Sequence, residues 1–233
     1  MISDFGISIS DLFDNTQLMK KVKSVIFDLD GTIANTLPLC ISAFRSAIEP
    51  LLNKSLSDAE IIATFGPSEE GTIRKLIPDY ETAGIESYLD HYEKLHHTCP
   101  TAFPGIEALL EILKTSNIQL AMVTGKGIHS TKISLQQFGL EKYFEILETG
   151  SPNGPDKVNG IRQAIEKLDT EVSESIYVGD APSDIIYCKE VGIPIAAAAW
   201  ATTADPTGLQ KLNPDWLFYS IEQFTDWITG HIN

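Results

Sequence analysis

One feature constrains the fold of this chain above all others. Short apolar runs recur, and each ends in a polar or acidic residue. Ser24-Val25-Ile26-Phe27 leads into Asp28-Leu29-Asp30-Gly31-Thr32, residues 118–123 lead into Thr124-Gly125-Lys126-Gly127, and Ser175-Ile176-Tyr177-Val178 leads into Gly179-Asp180. Such runs read as buried strands. Further strands are expected over 144–148, 193–198 and 216–218. Between them the apolar residues fall at helical spacing: Ile106, Leu109, Leu110 and Leu113; residues 128–138, closed by Gly139; Val158, Ile161, Ile165 and Leu168; and 185–191, with Gly192 as the stop. Ser220-Ile221-Glu222-Gln223 has the form of a capping box opening a last helix through Phe224 and Trp227. This alternation predicts a parallel sheet covered by helices on both faces, with its ligand site at the C-terminal ends of the strands.

Residues 37–97 interrupt the alternation. Leu37, Ile41, Phe44, Ile48 and Leu51 follow a helical period, and Pro50 is expected to end or kink that helix. Ser57-Asp58-Ala59-Glu60 is a second capping box, opening a helix through Ile61, Ile62 and Phe65. Gly66-Pro67 breaks it, and helices over 69–77 and from Ile85 to Leu95 follow. A block this long without a strand is too large for a loop. The expected division is an N-terminal extension at 1–21, a Rossmann-like α/β core formed by 22–36 and 100–233, and an inserted all-helical cap domain at 37–99. In the extension, Ile9, Leu12, Phe13 and Leu18 could line one side of a short helix.

Composition narrows the function. Apolar residues make up 43% of the 233 and charged residues 21%, enough for a substantial core. The net charge is 17 − 32 = −15. That balance argues against nucleic-acid and anionic-membrane partners, both of which are held by clustered Lys and Arg. Cys40, Cys99 and Cys188 form no C-x-x-C pair, so a disulfide framework or a thiolate metal site is not expected. Neither a secretory signal nor a bilayer-spanning stretch is recognisable, and the expected location is the cytoplasm, as monomer or homodimer.

Asp28 and Asp30 are two apart in extended chain and so face the same side. Taken alone they could be a strand ending in an Asp-rich turn. With Thr124 after the second strand, Lys157 at a helix start, and Asp180 and Asp184 after a later strand, the order D-x-D-G-T, V-T-G-K, K, G-D-x-x-x-D is far more specific. The combination resembles the haloacid dehalogenase superfamily of phosphotransferases over about residues 22–220. Phe103-Pro104-Gly105 after the helical insert is similar to its phosphoglycolate phosphatase-like branch.

The resemblance implies a Mg²⁺-dependent phosphatase acting on a small phosphorylated metabolite. Asp28 would be the nucleophile that carries an aspartyl-phosphate, and Asp30 the acid and then the base. Thr124, Gly125 and Lys157 would hold the phosphoryl oxygens. Asp28, Asp30 (through its backbone carbonyl), Asp180 and Asp184 would hold the metal, an all-oxygen set suited to Mg²⁺ rather than zinc. Dehalogenases proper lack an acid at the position of Asp30. Arg74 is the expected substrate contact in the cap; His91, His96 and His97 are expected at the surface, and Lys126 at the periphery of the site. The chain departs from the branch at Asn35-Thr36, at Val158 after Lys157, and at Ala201 after Trp200. Two other readings stay open: a sugar-phosphate phosphomutase, and a non-catalytic binding protein on the same core.

Overall fold

The computed structural model describes residues 21–232. Among these residues six strands build one sheet: β1 (Ser24–Phe27), β2 (Gln119–Val123), β3 (Ile146–Glu148), β4 (Ser175–Gly179), β5 (Ile195–Ala198) and β6 (Trp216–Phe218). Their order is β3-β2-β1-β4-β5-β6, and every neighbouring pair is parallel. β1 is therefore interior, with Phe27 beside Met122 on one side and Val178 on the other. The chain works outward from β1 in one direction and then in the other. That reversal places the C-terminal ends of β1 and β4 at a switch point, where a crevice opens naturally.

Both faces of the sheet are apolar, and the strands show it residue by residue. Val25 and Phe27 of β1, Leu120 and Met122 of β2 and Ile176 and Val178 of β4 enter one core. Ile26, Ala121, Val123 and Tyr177 enter the other. The period of two that puts successive side chains on opposite faces explains this division. Among the described residues ten α-helices accompany the sheet: α1 (Leu37–Leu52), α2 (Asp58–Ile62), α3 (Glu69–Leu76), α4 (Glu81–Leu95), α5 (Ile106–Thr115), α6 (Ile128–Phe138), α7 (Lys157–Lys167), α8 (Pro182–Val191), α9 (Pro206–Lys211) and α10 (Ile221–Thr229). Helices α5, α6 and α10 cover the first face; α7, α8 and α9 cover the second.

Helices α1 to α4 share a third apolar cluster. Phe44 lies 4.6 Å from Tyr88, ring centre to ring centre, with Ile48, Ile61 and Ile73 around them. α3 meets the sheet side of the molecule closely. The Ser68 amide donates to the Ser151 carbonyl at 2.9 Å, and a side chain at Gly71 would collide with the backbone of Pro152.

Helix ends follow local chemistry. The Ser57–Glu60 capping box forms, yet α2 stops at Ile62 rather than running to Phe65. Pro50 does not end α1: it sits within the last turn, and the helix continues to Leu52 before Asn53 turns left-handed. α8 starts at Pro182, three residues earlier than the apolar pattern indicates. Proline suits the first turn, and Asp184 accepts from the Ala181 amide. α9 has too few apolar residues to show a period; Asp205-Pro206, an N-cap followed by proline, is its signal. The helix expected in the N-terminal extension lies outside the described residues.

The first core centres on Phe224 of α10, fully buried among Phe218, Trp200, Trp227 and Phe27 at ring separations of 5.3 to 6.5 Å. Phe224→Ala should cost about 3–5 kcal/mol of stability, the usual loss for emptying a buried aromatic site. Chemical denaturation followed by far-UV circular dichroism measures it; a loss below about 1 kcal/mol would show that the site collapses freely.

Candidate active site

β1 delivers Asp28 and Asp30 to the crevice by simple geometry. The Asp28 amide donates to the Val178 carbonyl at 2.9 Å, so β1 is still paired with β4 where its first carboxylate appears. The chain then folds tightly on itself: the amides of Ile33 and Ala34 both donate to Leu29, and Gly31 donates to Ala34. Gly31 makes this possible. Its φ is +77°, and a Cβ there would run into the Asp180 carboxylate. Trp200 secures the loop from β5's side, its indole N–H donating to the Thr32 carbonyl at 3.0 Å.

Asp28, Asp180 and Asp184 converge, each offering a carboxylate oxygen within 4.8 Å of the other two. Lys157, first residue of α7, bridges two of them: its Nζ lies 2.7 Å from Asp28 Oδ2 and 2.6 Å from Asp184 Oδ1. The second Asp28 oxygen accepts from the Leu29 amide at 2.7 Å, and Asp180 accepts from the Thr32 hydroxyl at 3.2 Å. Asp184 is fully buried, and its other oxygen caps α8. A lysine at a helix N-terminus opposes the helix dipole, so Lys157 is held by the acids rather than by its own helix.

Three clustered carboxylates with one ammonium leave negative charge uncompensated. Burial first, and the Asp184 carboxylate with it, pushes the Asp28 carboxyl up to about 6 against the pull of Lys157. Burial, then Asp28 and Asp184, push Asp180 up to about 8. Burial works against the charge on Lys157 too, but Asp184 and Asp28 outweigh it and hold that group well above the ordinary lysine range. The donor set is all oxygen, compact and short of positive charge, so the residues present fit a hard divalent cation.

Asp30 belongs to a second network. Its Oδ1 accepts from the Thr36 hydroxyl and lies 3.4 Å from Lys126 Nζ. Lys126 is not peripheral: it is 4% exposed, stands 3.3 Å from Glu69 of α3, 2.9 Å from the Cys40 sulfur and 4.5 Å from the centre of the Tyr92 ring. Burial opposes its charge, but Asp30 chiefly outweighs that and keeps it well above the usual range. Glu69 also accepts from the Gly127 amide at the N-terminus of α6, from the Ser130 hydroxyl at 2.7 Å and from Tyr88 at 3.3 Å. An anion from α3 thus satisfies the open end of a helix of the sheet layer. Nothing in the local sequence marks Glu69; a buried acid inside Ser-Glu-Glu-Gly looks like any helix start.

Thr124 is buried at the end of β2, and its hydroxyl accepts from the Lys126 amide at 3.3 Å. Gly125 stands beside it, with Gly150 packed so closely that a side chain there would strike the Gly125 carbonyl. Asp28, Asp30, Thr124, Gly125, Lys126, Lys157 and Asp180 all line one cavity of about 310 Å³, whose opposite wall is α1, α3, α4 and the Gly66-Pro67 loop. Arg74 does not join them. It points outward from α3, where Glu81 takes its guanidinium at 2.8 Å. His96 departs from expectation in the other direction: it is buried, its ring packed on Phe138 and Tyr92 and its Nε2 3.2 Å from the Ser134 hydroxyl. His97 is exposed and His91 binds its own helix through the Ser87 carbonyl.

A parallel α/β sheet with a carboxylate-lined pocket at its switch point, roofed by helices inserted after the first strand, defines a hydrolase of the phosphatase type. The chain belongs to the haloacid dehalogenase-like hydrolases, whose family pattern matches residues 25–198. A protein of Caldanaerobacter subterraneus subsp. tengcongensis is 30% identical over 213 residues, which cover 90% of this chain and 96% of its own length. The pyrophosphatase PpaX of Oceanobacillus iheyensis is 29% identical over 210 residues, 89% of this chain and 96% of that one. Among solved structures, a haloacid dehalogenase-like family hydrolase of Streptococcus pneumoniae superposes with a TM-score of 0.72 at 24% identity, covering 89% of this chain and 98% of its own.

Two measurements follow from the electrostatics. Asp28 and Asp180 ionise at higher pH in the folded chain than the 3.8 of an ordinary aspartate. The folded state therefore binds more protons than the unfolded state between about pH 4 and pH 8, and their contribution to stability falls as pH rises through that window. In chelator, wild type should lose stability relative to Asp180→Asn between pH 6 and 8, read as the difference in urea midpoints; parallel curves would refute it. Lys126→Met leaves Glu69 buried without its cation, takes the ammonium from half-buried Asp30, and should cost about 3–5 kcal/mol, a loss that Lys126→Arg partly restores.

Proposed function

We propose that this protein is a Mg²⁺-dependent phosphatase that hydrolyses small phosphomonoesters through an aspartyl-phosphate on Asp28. The observation that carries the reading is the meeting of Asp28, Asp180 and Asp184 around Lys157, with Asp30 two residues on along the same strand end. Asp28, Asp180 and Asp184, with the Asp30 carbonyl, would hold Mg²⁺. Bound there, the cation would neutralise repulsion between phosphate and carboxylates and favour the ionised form of Asp28.

An Asp28 oxygen attacks phosphorus, and the bond from phosphorus to the ester oxygen breaks. Asp30, as the carboxylic acid, gives its proton to the departing oxygen and becomes a carboxylate. That carboxylate then takes a proton from water, whose oxygen attacks the phosphorus of the aspartyl-phosphate. Inorganic phosphate leaves, Asp28 is restored and Asp30 is again protonated. Lys157, the Thr124 hydroxyl and the Gly125 amide hold the phosphoryl oxygens and offset the charge that spreads over them. Residues 37–99 act as a cap that shields the site from bulk water while Asp28 attacks, and one water enters after the alcohol has left. Free, buried Cys40, Cys99 and Cys188 suit a reducing compartment such as the cytoplasm.

The test is a panel of phosphomonoesters assayed with Mg²⁺ and with chelator. Phosphate release should require Mg²⁺, and Asp28→Asn should lower kcat by on the order of 10³-fold or more, as loss of a nucleophile does. Full activity in Asp28→Asn refutes the phosphoenzyme. Interconversion of sugar-phosphate isomers without phosphate release would make the chain a mutase instead.

A further inference from the structure

We propose that the group esterified to the substrate's phosphate is neutral and apolar, an aryl or alkyl alcohol, and that the cavity discriminates against a second phosphate such as that of pyrophosphate. This rests on the phosphatase reading above and names its substrate class.

The cavity has two unlike ends. The sheet layer supplies the acids, Lys157, Thr124 and Gly125 that would surround the phosphoryl group. The facing wall comes from the inserted helices: Leu37, Phe44, Phe65, Pro67 and Tyr88, with the Thr72 hydroxyl. That hydroxyl already donates to the Thr64 carbonyl. The one charged residue of the wall, Glu69, is negative and fully engaged with Lys126, Gly127, Ser130 and Tyr88.

The supply of cations is equally one-sided. Lys126 and Lys157 are the lysines that line the cavity, and among the described residues no arginine joins them. Lys157 is held between Asp28 and Asp184, and Lys126 between Asp30 and Glu69. The basic residues carried by the inserted segment face away: Arg45 pairs with Asp58, Lys54 with Glu60, Arg74 with Glu81 and Lys94 with Asp90, while Lys75 is exposed. A second phosphate against this wall would lose its water and find no cationic partner. An aryl or alkyl group would bury its surface against Phe44, Phe65 and Tyr88, where rings are the natural contact.

The experiment compares phenyl phosphate with pyrophosphate in excess Mg²⁺. The kcat/KM for phenyl phosphate should exceed that for pyrophosphate by on the order of 100-fold, the scale of a like-charge contact that is not relieved. Leaving-group chemistry runs the other way, since phosphate is a weaker base than phenoxide, so the ordering reports the cavity. Phe65, at the rim and 39% exposed, can be changed without emptying the core. Phe65→Lys should raise pyrophosphate relative to phenyl phosphate by roughly 10-fold, by supplying the missing cation. Calorimetric binding of phenylphosphonate and methylenediphosphonate repeats the comparison without turnover, and phenylphosphonate should bind tighter. Equal or better use of pyrophosphate with normal activity overturns this inference and leaves the phosphatase reading standing. Absence of turnover on both substrates and across the phosphomonoester panel removes the phosphatase reading, and the two phosphonates then decide the polarity of the cavity by themselves.

Discussion

Like charges held together out of water are the constraint on which this structure depends. Asp28, Asp180 and Asp184 repel one another, and burial raises the cost. Only a rigid frame keeps them close. The frame is a parallel sheet whose central strand is paired on both sides up to the residue before Asp28. It is tightened by the loop that Gly31 permits and by the Lys157 ammonium wedged between two of the acids. The stored repulsion is available to any cation that relieves it, which is how a binding site differs from a merely polar patch.

The second dependence runs between the layers. Glu69 and Lys126 come from opposite sides of the cavity, and each is buried. Lys126 touches Asp30, and Glu69 touches the N-terminus of α6. The seating of the inserted helices and the surroundings of Asp30 are therefore parts of one hydrogen-bonded network. A shift of α3 changes the charge that Asp30 experiences, through Lys126.

Strand ends are where the sequence was most informative. A polar residue that follows an apolar run emerges at the C-terminal edge of a parallel sheet, so the sequence alone puts Asp28, Asp30, Thr124 and Asp180 at strand ends. Lys157 was legible because it opens a periodic helix. What could not be read were pairings across long separations. Lys126 looks peripheral until Glu69 arrives from α3 to bury it, and His96 looks exposed until Phe138 and Ser134 cover it. Arg74 failed for the opposite reason. Position along a helix says little about which way a long side chain turns, and Glu81, on the next helix, drew it outward. α9 was missed because a period needs more turns than it has.

The burial of the Lys126–Glu69 pair has a consequence for behaviour in salt. Ion pairs at the rim of the inserted helices, such as Arg45–Asp58 and Lys94–Asp90, are open to counterions and weaken as ionic strength rises. Lys126, at 1% side-chain exposure, is screened far less by mobile ions. In a chain of net charge −15, added salt relieves general repulsion while weakening this attachment far less. The helical layer is fastened to the sheet by a contact that the surrounding electrolyte tunes only weakly.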